Sequence, residues 1–193
     1  MPVEAISYFP PQKGRAHEVC GPGAYFFAFT LAARVGEQVL WVREAWQSDQ
    51  INPAGFDRFF DSRNLLVAIA KNQAEVFAVA EDALRSGALM LVVLELSKPQ
   101  SLTEGRRLQL AARDGKATAL SIIPQDMGSN AAETRWHCAP MFDPTDSTLQ
   151  RWKLIKNKTG TLSTWHVRWN AETRRIIVVS PVGQRPGSED VPG

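Results

Sequence analysis

The chain has 193 residues, 44% apolar and 22% charged, with a formal charge of +2. That is enough apolar material for one sizeable core, and the balance excludes a disordered polymer. No apolar run reaches the roughly 18–20 residues of a bilayer span, residues 1–15 lack the features of a signal peptide, and the two cysteines, Cys20 and Cys138, are too few for a disulfide framework.

Residues 1–15, with Pro2, Pro10, Pro11 and Gly14, show little periodicity and read as a flexible arm in which Tyr8 and Phe9 offer docking groups. Residues 16–20 form a first strand. The following CGPGAYFFAFTL turns through Gly21, Pro22 and Gly23 into a helix over 24–34 that is apolar almost all round, hence buried, and Gly36 suits its C-cap. A glycine turn between strand and helix is the frame of a phosphate loop, in which backbone N–H groups cradle phosphates while a Lys and a Ser/Thr complete the site. Counting G-x-x-x-x-G-K-[ST] from Gly21 puts Phe26, Phe27 and Ala28 where Gly, Lys and Ser/Thr belong. The loop therefore reads as degenerate: no ammonium reaches a phosphate and no hydroxyl holds magnesium.

Residues 39–42 are a buried parallel-type strand. A short helix is expected over 54–60 and a strand over 64–70. Val76, Phe77, Ala80, Ala83 and Leu84 give residues 73–85 an amphipathic helical period, closed by Ser86-Gly87. Residues 89–96, LMLVVLEL, suit the middle of a sheet. A helix over 102–113 carries Arg106, Arg107 and Arg113 outward, and residues 117–123 are another apolar strand. Strand and helix alternating in this way predict an α/β fold with a mostly parallel sheet covered on both faces.

After residue 131 the helices cease. Strands over 135–139, 151–156, 165–170 and 175–180 predict an antiparallel extension, since Trp165, Val167 and Trp169 alternate with His166, Arg168 and Asn170. One domain over 16–180 and a disordered tail over 181–193 follow. Between residues 151 and 175 seven Lys/Arg, among them Lys156 and Lys158, face one acid, Glu172. Such a run is either a solvated sheet face or a phosphate-facing surface. Five of the six tryptophans fall in strands and belong to the core, whereas Trp46 follows the second strand beside polar residues and is a candidate contact anchor. His137 and Cys138, adjacent in a strand, point to opposite faces, and no metal-ligand spacing occurs.

AHEVCGPG before a helix, EVFAVAEDALRSGALMLVVLEL, and the late RWKLIKNK resemble, in the same order over residues 15–180, segments of the RecA core. The short length, the altered loop and GRRLQLAA followed by TRW most resemble the RecA-like accessory proteins of SOS-inducible mutagenesis, the ImuA group. That resemblance implies a RecA-like core and a non-catalytic adaptor in error-prone translesion synthesis after DNA damage. Its partners would be an ImuB-type inactive Y-family polymerase, RecA, and an error-prone replicative-type polymerase in the same complex. It places the protein in the cytoplasm, at the nucleoid when engaged, with no cofactor, metal or membrane. Glu95 and Glu44 fall where active relatives hold the magnesium-side and water-activating acids. Without the Lys and Ser/Thr they read as vestigial, Glu95 as a carboxylate at the solvent-facing end of the sheet. The segment 124–132, in the place of a DNA-holding loop, contains no Lys, Arg or aromatic residue, and direct DNA binding through residues 151–175 is kept only as an alternative reading. Two other readings remain open from the sequence: an ATP-binding enzyme with an atypical site built on Glu44 and Glu95, and a cell-division inhibitor of the SulA type. The candidate interaction surface comprises Arg106, Arg107, Arg113, Lys156, Lys158 and Trp46.

Overall fold

A computed structural model describes residues 6–182, which contain one sheet of nine strands with helices on both faces. In chain order the elements are β1 (Ala16–Cys20), α1 (Ala24–Val35), β2 (Val39–Glu44), α2 (Pro53–Phe56), β3 (Leu65–Ala70), α3 (Gln73–Arg85), β4 (Leu91–Glu95), α4 (Leu102–Asp114), β5 (Thr118–Ile122), β6 (Thr134–Pro140), β7 (Gln150–Asn157), β8 (Ser163–Asn170) and β9 (Arg175–Val182). The sheet order is β3-β2-β4-β5-β1-β6-β7-β8-β9. Every pair from β3 to β6 is parallel, and β6 to β9 are antiparallel. The α/β class, the mostly parallel sheet and the antiparallel C-terminal strands agree with the sequence.

The helices start and stop for local reasons. Asn72 caps α3 by accepting from the Glu75 N–H at 3.0 Å. Ser101 and Glu104 form a reciprocal capping box at α4, satisfying two orphan donors at once. Gly36, at φ 73°, ends α1 in the left-handed region, its N–H donating to the Ala32 carbonyl at 2.9 Å. α1 lies on one face of the sheet and α3 and α4 on the other, each against its own apolar cluster.

The α1 face is the aromatic one. The Phe27 ring centroid is 4.8 Å from that of Trp152 and 5.4 Å from that of Trp136, and Trp165 continues the stack at 5.7 Å from Trp136. Such pairs add roughly 0.5–1.5 kcal/mol each beyond area burial. They also explain why the antiparallel strands stay on the sheet: Trp152, Trp165, Val167 and Trp169 extend the same core. Alternate residues of these strands, Arg151 and Arg168 among them, face solvent.

Four expectations need correction. β6 is not purely part of an antiparallel meander; it pairs in parallel with β1 before β7 joins its other side. The sheet is not covered throughout, because β3 is an edge strand whose Leu66, Val67 and Ile69 are exposed. The helix expected over 54–60 stops at Phe56, its Asn52 cap satisfied but its length only four residues. Residues 6–15 were expected to be loose. Instead Ile6 is buried, and Phe9 packs 5.4 Å from Phe27 and 5.1 Å from Trp152, so the docking partner of Phe9 is the chain's own core. Residues 1–5 and the tail beyond Val182 lie outside the described residues.

Candidate functional site

The turn from β1 into α1 is shaped by close approach. Gly21 takes φ 89°, and a Cβ there would stand 2.5 Å from the Cys138 carbonyl oxygen. A Cβ on Gly23 would stand 2.2 Å from Gln150 Oε1 and 2.9 Å from the Cys138 carbonyl carbon. Both glycines are therefore required where β6 and β7 pass over the turn. The Gly23 N–H, at the N-terminal end of α1, donates to the Cys138 carbonyl at 2.8 Å. One of the donors a helix start offers to an anion is thus used by the chain itself. Phe27 and Ala28 are fully buried, and Phe26 packs 5.2 Å from Phe59. Tyr25 departs from the core role given to its neighbours: it is half exposed, with its ring 5.6 Å from that of Trp41.

Glu95 is not at a solvent-facing end, as the sequence suggested. It is 3% exposed at the end of β4, accepts from Trp41 Nε1 at 2.6 Å and pairs with Arg43 Nη2 at 3.1 Å. Its two partners come from β2, the adjacent strand, which is why the burial of the carboxylate is tolerated. Burial and then the neighbouring Glu95 charge push the Tyr25 phenol up. Glu44 is buried as well, accepting from Ser97 Oγ at 2.6 Å, while Gln73 Oε1 accepts from the Ser97 and Lys98 N–H groups at 3.0 and 2.9 Å. Among the described residues no three His, Cys, Asp or Glu side chains group to hold a metal ion. Burial pushes the thiols of Cys20 and Cys138 up, away from the reactive thiolate form.

No protein-family model matches the chain. Over 161 residues, 81% of its length, it is 27% identical to Protein ImuA from two strains of Caulobacter vibrioides. The chain is similar to ImuA. It spans 61% of the length of those relatives. The ImuA resemblance read from the residues is borne out at that level of similarity.

In this ImuA-like chain the most developed polar cluster was missed from the sequence. Glu18, in β1, is 1% exposed and accepts from Arg135 Nε at 2.7 Å, Gln100 Nε2 at 2.7 Å and the Ser129 N–H at 2.9 Å. Arg135 also donates to the Ser129 carbonyl at 2.8 Å. The cluster fastens the segment 124–132 to the sheet. Beside it, His17 Nε2 donates to the Gln12 carbonyl at 2.8 Å, which leaves Nδ1 to accept from Thr134 Oγ1 at 2.7 Å. Burial lowers the His17 pKa to about 4, so the ring is neutral. The available signal was two polar residues, His17 and Glu18, inside a strand buried at every position.

The expected interaction residues are scattered. Arg106 and Arg113 are exposed on α4, whereas Arg107 joins Arg85 on the buried Glu81, at 2.7 and 2.8 Å. Lys158 Nζ donates to the Ala131 carbonyl at 2.7 Å, and Lys156 Nζ reaches the carbonyls of Asn130, at 3.3 Å, and Ala132. Burial first, then Lys158 and Arg135, lower the Lys156 pKa. Both ammoniums are thus engaged by the segment 124–132. Trp46 is 65% exposed just beyond β2. No helix among the described residues is long and apolar enough to cross a membrane.

Proposed function

We propose that this chain is a non-catalytic, RecA-like adaptor in DNA-damage-induced mutagenesis, working through protein contacts during error-prone translesion synthesis. Its partners in this reading are an ImuB-type inactive Y-family polymerase and RecA, with an error-prone replicative-type polymerase in the same complex. It works in the cytoplasm and joins the nucleoid when engaged. The observation that carries the non-catalytic part is the closed turn: Gly23 gives its N–H to Cys138, and Phe27 and Ala28 are buried where a phosphate loop needs Lys and Ser/Thr. Phosphoryl transfer is mostly positioning and charge stabilisation, and both lack their groups here. We read Gly21, Pro22 and Gly23 as a degenerate phosphate loop, with Glu44 and Glu95 reassigned to holding β2, β4 and the segment after β4 together. The pairing of both acids supports this, since each has donors of its own.

Similarity to ImuA over 81% of the chain supports the pathway, and the strand order supports the RecA-like core. The contact surface in this reading is the α4 face with Arg106 and Arg113, together with Trp46 and the antiparallel strands. Lys156 and Lys158 contribute less, because their ammoniums already serve carbonyls. A pull-down with purified ImuB-type polymerase and RecA tests it: retention of either supports the adaptor, and recovery of neither removes it.

A further inference from the structure

Two adjoining cavities of about 710 and 490 Å³ open beside the C-terminal end of α1 and share Arg34, Thr173, Arg174 and Arg175. Their cations come from separate places, Arg34 from the last turn of α1 and Arg174 and Arg175 from the turn into β9. Arg34 and Arg175 are exposed and have no carboxylate partner among the described residues. Arg174, at φ 51°, donates Nη2 to the Phe59 carbonyl at 2.9 Å, which fixes its guanidinium at the groove wall with other donors to spare. The sole acid lining either cavity is Asp61, and it already pairs with Arg63 at 2.7 Å.

The larger cavity is not simply cationic. Ile6, Phe9, Ile176 and Ile177 line it as well. Successive strand residues point to opposite faces, and Ile176 and Ile177 are opposite Trp169 and Arg168 respectively. A cavity lined by both abuts β9 itself. That strand is the last of the sheet among the described residues.

We propose that this groove binds an extended, acidic peptide segment carrying apolar residues, presented by a protein partner. Carboxylates would meet the guanidiniums of Arg34 and Arg175, alternate apolar side chains would enter beside Phe9 and Ile176, and the peptide backbone would run along β9. Charge complementarity chooses the acid. The apolar wall chooses a peptide over a nucleic-acid strand, because the one aromatic ring lining the larger cavity, Phe9, is already packed on Phe27 and Trp152 and does not present a free stacking platform. The groove is separate from Trp46 and the outward face of α4. Failure here leaves the adaptor reading standing, and a failed pull-down leaves this site intact.

The test is fluorescence anisotropy on the full chain with a short fluorescein-labelled peptide alternating Asp or Glu with Leu or Phe. Its amidated form (Asn and Gln for the acids), an all-acidic peptide and labelled single-stranded DNA are the comparisons. The alternating peptide is expected to bind best, with affinity falling as salt rises. Loss of charge-assisted bonds in the R34E/R175E variant should weaken it by about tenfold or more, while K71E/K98E, at two exposed lysines outside both cavities, leaves it unchanged. Thermal melting verifies folding; should charge reversal unfold the chain, Arg34→Gln with Arg175→Gln takes its place, with the same direction expected. Equal binding of the amidated peptide, stronger binding of DNA, an unchanged affinity in both groove variants, or no binding of the alternating peptide would each overturn the proposal.

Discussion

The two ends of α1 make opposite use of their polar groups. At the N-terminal end Gly23 gives its N–H to Cys138, and no charged side chain stands in the first turn. At the other end Arg34 sits in the last turn, where the helix dipole favours a cation, and looks into a cavity with two more arginines. The first end is closed by backbone and aromatic packing, and the second is open and charged. A backbone donor of the first end is used within the chain, whereas Arg34 and Arg175 at the second stand exposed beside a cavity. The Glu18 cluster extends the closed side, since its carboxylate collects three donors and ties the segment 124–132 down.

If the closed side depends on paired polar atoms, removing one should be costly. Glu18→Ala leaves Arg135 with its charge largely buried and unpaired, so urea unfolding should show a loss of about 3–5 kcal/mol; a loss below about 1 kcal/mol would mean the cluster is ornamental. Acid attacks the same region through His17. Its folded pKa of about 4 lies below the ordinary 6.5, so the unfolded chain takes up the proton first. The stability from its neutral form is fully present above pH 6.5 and is lost as pH falls towards about 4, by about 3 kcal/mol in denaturant titrations across that window.

These two effects mark where the sequence could be read and where it could not. The 3.6-residue period over α3 and the unbroken apolar run at β4 locate both elements, because burial there is decided by neighbours close in the chain. The alternation Trp165, Val167, Trp169 likewise identifies β8 and its buried side. Glu95 was misplaced because Trp41 and Arg43, its partners, lie on another strand more than fifty positions away in sequence. Lys156 and Lys158 were legible as charges, but the carbonyls that hold them belong to a segment 24–27 residues earlier. Phe9 sits in a proline-rich lead-in with no periodicity, so its docking onto Phe27 is visible only in three dimensions.

Smaller effects sharpen the contrast further. Gly23→Ala forces a Cβ against Gln150 and Cys138, and thermal unfolding should register a loss of about 1–3 kcal/mol from overpacking. Lys158→Ala removes one charge-assisted bond to Ala131, worth roughly 1–3 kcal/mol. Its distinguishing sign should be faster amide exchange confined to the segment 124–132. On the open side, Arg34→Ala should change stability by less than about 0.5 kcal/mol in the same unfolding assay, and so should Trp46→Ala at its exposed position beyond β2. A larger loss at Arg34 would mean that its guanidinium supports the fold.

In the proposed reading the glycine turn is closed to nucleotide and function resides on the surface. Isothermal titration of the full chain with Mg-ATP tests it most directly. A closed turn gives no saturable heat at millimolar nucleotide; micromolar binding that Gly23→Ala abolishes would mean that the turn still holds phosphate.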